Sequence, residues 1–141
     1  MKVVIAKDQR TFVDHYLIRG KVFVVEQAID WALEVDDWDY DATLFVLYDK
    51  GVAIGAARLY KNKVGRVAVL KEHRHKNAGS LLMAAVEKYA LEKGLDCLEL
   101  GAQCYIIPFY EKLGYEAYGE VFLDADIEHR MMMKKLTKLN D

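Results

Sequence analysis

The sequence predicts an α/β fold in which helices pack on one mixed sheet. Apolar runs rich in β-branched residues alternate with two stretches of helical periodicity, and three of the strands follow one another through tight turns. A chain of 141 residues is also the right size for one domain with a single core. We therefore expect residues 1–141 to form a single domain.

The composition is that of a soluble folded protein, with 53% hydrophobic and 30% charged residues. The formal net charge of -2 gives no basic excess, which argues against nucleic-acid binding. No apolar run approaches the ~20 residues of a membrane span and the N-terminus lacks a signal-peptide pattern. We expect no membrane partner and a cytoplasmic location. Cys97 and Cys104 are expected to be reduced, and no metal-ligand spacing occurs, so no metal is expected.

The first half of the chain is typical of a strand, a helix, a loop and a meander. Residues 2–6 form an apolar strand, and residues 9–25 form a helix that Gly20 kinks. His15 has no motif around it and is expected to be exposed, as is His73. The acidic segment 26–41, with its two tryptophans, is interpreted as a loop with a short helix. Three antiparallel strands follow, over residues 43–48, 52–60 and 64–70.

The second half alternates helices with strands. Residues 78–93 form an amphipathic helix that ends at Gly94, a residue suited to the left-handed position after a helix. Its apolar face consists of Leu81, Leu82, Ala85, Val86, Tyr89 and Ala90. A strand over residues 95–102, a short helix within 105–115 and one or two final strands within 118–136 complete the prediction.

A basic cluster lies between the last meander strand and the long helix. A strand that turns sharply into a helix N-terminus forms an anion site, because the first backbone N–H groups are unpaired there. Asn77 and Gly79 suit such a turn, and Arg74, His75 and Lys76 add positively charged or neutral donors. The alternative is a plain connection with solvated charges. We interpret the cluster as a phosphate cradle, and no P-loop or dinucleotide motif occurs elsewhere.

Around this cluster the sequence resembles the GNAT superfamily of N-acetyltransferases. "RVAVLKEHRHKNAGSLLMAAVE" is similar to its acetyl-CoA signature, Arg/Gln-x-x-Gly-x-Gly/Ala, which here is Arg74-x-x-Asn77-x-Gly79. "QCYIIPFYEKLGY" resembles the second signature, with Tyr110 matched and Gln103 where Asn is usual. "FVVEQAIDWALEVDDWD" and "FLDADIEHRMMMKK" resemble the ElaA-like branch. The resemblance implies a largely antiparallel sheet of about six to seven strands, with a splayed central pair and about four flanking helices.

The resemblance also implies how acetyl-CoA binds. The splayed strand pairs with the pantetheine arm through the backbone of Val67, Ala68 and Val69, as an added strand would. A backbone N–H, that of Val69, polarises the thioester carbonyl and stabilises the oxyanion. The other implied cofactor-binding residues are Arg74, His75, Lys76, Asn77, Ala78, Gly79, Ser80, Gln103, Phe109 and Tyr110.

Two catalytic roles follow from the same resemblance. Tyr110 is the predicted general acid, because the matching tyrosine of the superfamily points at the CoA sulfur; the alternative is an aromatic core residue. The general base is left open, because Gly65 stands where many relatives carry a glutamate. Glu26, His129, Asp36 or a chain of waters could take the proton, and Glu26 and His129 are preferred because their segments resemble the branch.

The predicted function is an acetyl-CoA-dependent N-acetyltransferase that acts on the primary amine of a small molecule by direct attack. The alternatives are acetylation of a protein lysine or N-terminus, and a CoA-binding regulatory module without turnover, which Gly65 and Asn77 motivate. The acidic segment 26–41 would favour a cationic acceptor, although solvation explains it equally well. A homodimer is left open, and fold class alone does not name the acceptor.

Overall fold

Seven strands form one sheet in the computed structural model of the chain, which describes residues 1–137. Their order across the sheet is β1-β2-β3-β4-β5-β7-β6, and each neighbouring pair is antiparallel except β4 and β5, which are parallel. The strands are β1 (Lys2–Ile5), β2 (Thr43–Asp49), β3 (Val52–Tyr60), β4 (Lys63–Val69), β5 (Cys97–Gln103), β6 (Glu116–Asp124) and β7 (Ile127–Lys135). The mixed, largely antiparallel sheet that the sequence predicts is confirmed.

Helices cover both faces of the meander. They are α1 (Gln9–Arg19), which continues as a π-helical segment (Gly20–Glu26), α2 (Trp31–Glu34), α3 (Ala78–Glu92) and α4 (Ile107–Lys112). Ala56 packs with Ile18 of α1, whereas its neighbour Ala57 packs in the cluster of α3, as alternating strand residues should. The larger core lies between the sheet and α3, where Leu82 and Val86 are buried.

At Gly20, where the sequence predicts a kink, the α-helix changes to a π-helix. A Cβ atom at this position would lie 2.6 Å from Cζ2 of Trp31, so only glycine lets the indole pack here. The acidic segment contains two short helices rather than one, α2 and a 3₁₀ turn at Asp37–Tyr40. Asp30 and Asp36 cap their N-termini through side-chain hydrogen bonds.

The buried face of α1 differs from the apolar pattern that predicts the helix. Phe12, Val13 and Leu17 are exposed, whereas the polar His15 and Arg19 are completely buried. The prediction that His15 is exposed is therefore wrong, and the reason is its pairing with buried polar partners.

Two further residues depart from their predicted exposure. In α3, Leu81 is exposed and Met83 is buried in its place, since the helix is turned toward the side that carries Met83. His73 is half-buried rather than exposed, and within residues 1–137 its Nδ1 is buried without a hydrogen-bond partner.

The parallel pair β4–β5 is joined only at one end. Within the described sheet, register pairs connect Lys63 with Glu99 and Val64 with Leu100, and the strands separate beyond them. A bulge in β4 follows, where Arg66 has a left-handed φ of 53°. The splayed pair leaves a crevice at the centre of the sheet.

Several smaller expectations concern the described part of the chain. Both cysteines are free and half-buried. Across residues 1–137 no helix combines the length and apolar character needed to cross a membrane. In the same range no three or more His, Cys, Asp and Glu side chains group as a metal site.

Candidate active site

A cleft of about 1020 Å³ opens where β4 and β5 separate. One wall is β4 and the loop that leads into α3, and the opposite wall is β5 with α4. The π-helical segment and the β6–β7 hairpin close its ends. The splay of the sheet therefore makes the cleft.

Nearly all of the residues predicted for the site line this one cleft. Those that do are Glu26, Val67, Ala68, Val69, Arg74, His75, Asn77, Ala78, Gly79, Ser80, Gln103, Phe109, Tyr110 and His129. Lys76 does not line it, and its side chain is exposed. The structure thus brings together residues from five separate stretches of the chain.

The backbone of β4 faces the crevice at alternate residues. The N–H of Leu70 donates to the carbonyl of Ile54 in β3 at 2.9 Å. Because hydrogen bonding alternates along an antiparallel pair, the N–H of Val69 points to the other side, toward β5. The carbonyl of Val69 accepts from Nε of Arg74 at 3.0 Å. The Val69 N–H is therefore directed at the gap between β4 and β5.

The loop before α3 has the backbone geometry of an anion site. His75 and Asn77 both have left-handed φ values, 67° and 63°. Asn77 is the residue before the helix, and within residues 1–137 no side chain caps the α3 N-terminus. The first N–H groups of the helix are thus left for a ligand.

Arg74 is held in place by Glu26. Its Nη1 and Nη2 donate to the two carboxylate oxygens of Glu26 at 2.7 and 2.8 Å. These hydrogen bonds hold the pKa of Glu26 below its usual range. Glu26 is consequently a carboxylate at neutral pH and a weak proton acceptor, and the pair anchors the loop to the π-helical segment.

Tyr110 lies on α4 behind Phe109. A Cβ atom at Gly79 would lie 3.0 Å from Cζ of Phe109, so this glycine allows α4 to approach α3 closely. The Tyr110 ring packs edge-on against Phe109 and Tyr115, with centroids 5.0 and 5.8 Å away. Burial raises the pKa of Tyr110, so its phenol keeps its proton at neutral pH.

His129 projects into the cleft from β7. Its Nδ1 lies 2.7 Å from the carbonyl oxygen of Ile127. A carbonyl can only accept, so Nδ1 carries a ring proton, and the neutral form of the ring has its lone pair at Nε2. The ring stacks on Phe122 with centroids 5.7 Å apart. His129 is thus a buried imidazole on the cleft wall whose Nδ1 is held by the backbone.

An ion-pair cluster borders the cleft and was not predicted from the sequence. It consists of Arg19, Arg58, Arg66, Glu34, Asp36 and Asp39. Arg58 pairs with Asp36 at 2.8 Å, and Arg19 pairs with Asp39 at 2.8 Å. Asp36 and Asp39 of the acidic segment are therefore bound to arginines. The one available signal was a charged Arg58 inside the apolar strand "VAIGAARLY".

Gln27 is a second residue that the sequence did not single out. Its Oε1 accepts from Nε2 of Gln103 at 2.9 Å, and both side chains line the cleft. The bond joins the π-helical segment to the end of β5. No local pattern predicts the bond between Gln27 and Gln103, because the two residues are 76 positions apart.

The chain is similar to known acetyltransferases over nearly its whole length. The family profile described as "Acetyltransferase (GNAT) domain" matches residues 10–136. YjcF of Bacillus subtilis, named an uncharacterized N-acetyltransferase, is 39% identical over 139 residues, or 95% of this chain and 99% of the relative.

Solved structures share the same architecture. An acyl-CoA N-acyltransferase from Pseudomonas aeruginosa has a TM-score of 0.84 at 26% identity, covering 95% of this chain and 99% of that chain. Escherichia coli ElaA has a TM-score of 0.80 at 22% identity, covering 95% and 99%. The ElaA comparison shows a common fold.

Proposed function

Because the chain belongs to the GNAT acetyltransferase family, we propose that it transfers an acetyl group from acetyl-CoA to the primary amine of a small molecule by direct attack. The observation that carries this proposal is the crevice between β4 and β5, which leads to the uncapped N-terminus of α3. A cytoplasmic location and a homodimer stay predictions.

The residues of the crevice fit acetyl-CoA. The backbone that β4 presents to the gap ahead of Val69 can pair with the amide-bearing pantetheine arm, since a splayed strand offers the hydrogen bonds of a sheet edge. The left-handed loop at His75 and Asn77 and the free N–H groups of α3 would hold the pyrophosphate. When bound, acetyl-CoA supplies an activated acetyl thioester.

Two groups of the chain would act on the thioester. The N–H of Val69 would donate to the thioester carbonyl oxygen, which stabilises negative charge as it develops there. Tyr110 would give its proton to the departing sulfur. In water this transfer is uphill, because a phenol has a reference pKa of about 10 and a thiol about 8.5. A thiolate in a poorly solvated cleft is a stronger base, so the transfer becomes easier there.

His129 is the better candidate for the general base. Gly65 supplies no carboxylate, Glu26 is bound to Arg74, and Asp36 is bound to Arg58. His129 instead offers the lone pair of Nε2, because its Nδ1–H donates to a backbone carbonyl. We propose that Nε2 takes the proton of the attacking amine, directly or through one water.

Two measurements test the function. CoA at about 100 times its Kd should stabilise the fold by about 2.7 kcal/mol in thermal denaturation, whereas NAD and ATP should have no such effect. Thiol release from acetyl-CoA is then measured across a panel of small primary amines and lysine peptides. Absence of a CoA shift would reject the proposal. A CoA shift without thiol release would indicate a binding module, and turnover of peptides alone would indicate a protein acetyltransferase.

A further inference from the structure

Position 65 opens the cleft onto a buried arginine. Gly65 lies in β4, faces the cleft and has Arg58 of β3 as its register partner. A Cβ atom at Gly65 would have one neighbour within 4 Å among the described residues, Nη2 of Arg58 at 3.9 Å. The missing side chain therefore leaves a space in front of this guanidinium.

The guanidinium of Arg58 has unused hydrogen-bonding capacity on that side. Its side chain is only 4% exposed, and Nη1 donates to Asp36 and Asp39 at 2.8 and 3.2 Å. In the part of the chain that the structure describes, Nη2 donates only to Asp36, at a long 3.4 Å. One N–H of Nη2 is thus available to a ligand in the space beside Gly65.

The charges of the cluster are arranged with the cations toward the cleft. Arg58, Lys63 and Arg66 line the cleft, and Glu34 is the acidic member of the cluster that lines it with them. Asp36 and Asp39 pair with Arg58 but do not line the cleft themselves. The cluster as a whole is balanced in charge, so an anion here would be recognised by the hydrogen bond that Arg58 donates rather than by a net positive field.

We propose that this opening binds a carboxylate of the acceptor, so that the substrate is a primary amine that also carries a carboxylate and an apolar body. The inference rests on the proposed function, because it assigns the acceptor of the same reaction. The carboxylate accepts a charge-assisted hydrogen bond from Nη2 of Arg58. The apolar body lies against the hydrophobic side chains of the cleft, among them Phe23, Leu33, Phe122 and Met131.

Ligand binding to the CoA-saturated protein tests the carboxylate site without turnover. Calorimetry compares 3-phenylpropanoate with its uncharged analogue 3-phenylpropanamide. The carboxylate should bind about tenfold tighter, since a charge-assisted contact replaces a neutral one. Equal affinities in the unmodified protein would overturn the proposal.

Two matched variants separate charge from size. Gly65→Glu places a carboxylate in front of Arg58 and should abolish the preference for 3-phenylpropanoate. Gly65→Gln fills the same space without the charge, so it should weaken both ligands and reduce the preference less than Gly65→Glu does, because it lacks the repulsion between two carboxylates. Thermal denaturation with CoA shows that each variant is folded. An undiminished preference in Gly65→Glu contradicts the carboxylate site.

Turnover distinguishes this inference from the function itself. L-phenylalanine, L-phenylalaninamide and phenethylamine are compared as acceptors in the thiol-release assay. Faster reaction of the amines without a carboxylate would overturn the inference and keep the acetyltransferase function. Carboxylate-selective binding without any thiol release would keep the anion site and reject the function.

Discussion

Lowering the pH from 7 to 5 should destabilise the fold through His15, which is completely buried in α1. Its Nδ1 lies 3.0 Å from the carbonyl oxygen of Phe45, and its Nε2 lies 3.1 Å from Nη1 of Arg19. A carbonyl only accepts and a guanidinium only donates, so Nδ1 carries the proton and Nε2 accepts. A second proton on Nε2 would face the positive charge of Arg19. Burial, together with Arg19, lowers the pKa of His15 to about 4.

The size of the effect follows from the two protonation equilibria. In the unfolded chain His15 should titrate near its ordinary value of 6.5, above the folded value of about 4. The unfolded chain binds more protons between these values, so stability is fully present above pH 6.5 and falls as the pH drops toward 4. Each pH unit in this window costs about 1.4 kcal/mol, so the change from pH 7 to pH 5 costs about 2 kcal/mol.

Other groups also titrate in this range, so the measurement needs a matched variant. In His15→Asn the amide can donate to Phe45 and accept from Arg19, but it does not titrate. Urea denaturation of both proteins at pH 7 and pH 5 should show that the unmodified chain loses about 2 kcal/mol more than the variant. Equal losses, or an imidazole NMR titration of His15 near 6.5, would refute the assignment.

Three kinetic and structural predictions concern the cleft. Tyr110→Phe should lower kcat by ~10²-fold in the thiol-release assay and leave the thermal shift with CoA intact, and unaltered turnover would exclude the phenol as proton donor. His129→Gln should lower kcat by ~10²-fold in the same assay, whereas Glu26→Gln should leave kcat nearly unchanged, because that carboxylate is already ion-paired. The reverse pattern would identify Glu26 as the base. Gly79→Ala should cost about 1–3 kcal/mol in urea denaturation, because its Cβ would crowd the Phe109 ring, and Phe109→Leu should relieve much of that loss. An identical loss in the double variant would contradict the steric explanation.

The loop before α3 was easier to predict than the side of the cleft around Gly65 and Gln103. The loop is one continuous segment, and its left-handed Asn77 follows from residue type and motif. The other side is assembled from distant segments. Arg58 meets Asp36 across 22 residues, and Gln103 meets Gln27 across 76 residues. A pattern within one segment does not reveal such pairs.

The buried face of α1 shows a second reason why sequence patterns do not predict every part of the structure. Apolar spacing assigns the buried side of a helix to residues such as Phe12 and Leu17, yet these are 41% and 53% exposed. Arg19 takes the interior instead, because Glu34 and Asp39 satisfy its donors from short helical turns that follow later in the chain. A buried charge is tolerated when it is paired and hydrogen-bonded, and that condition depends on tertiary structure.

The separation of β4 from β5 has a consequence for the choice of acyl donor. Backbone amides that point into the gap need partners, and water fills that role until a ligand replaces it. A short synthetic thioester without the amides of the pantetheine arm would drive this water out and return no hydrogen bonds. Removing water from the gap therefore weakens the binding of truncated acyl donors relative to the full-length coenzyme. Because this preference comes from main-chain amides, substitutions of single side chains should not remove it.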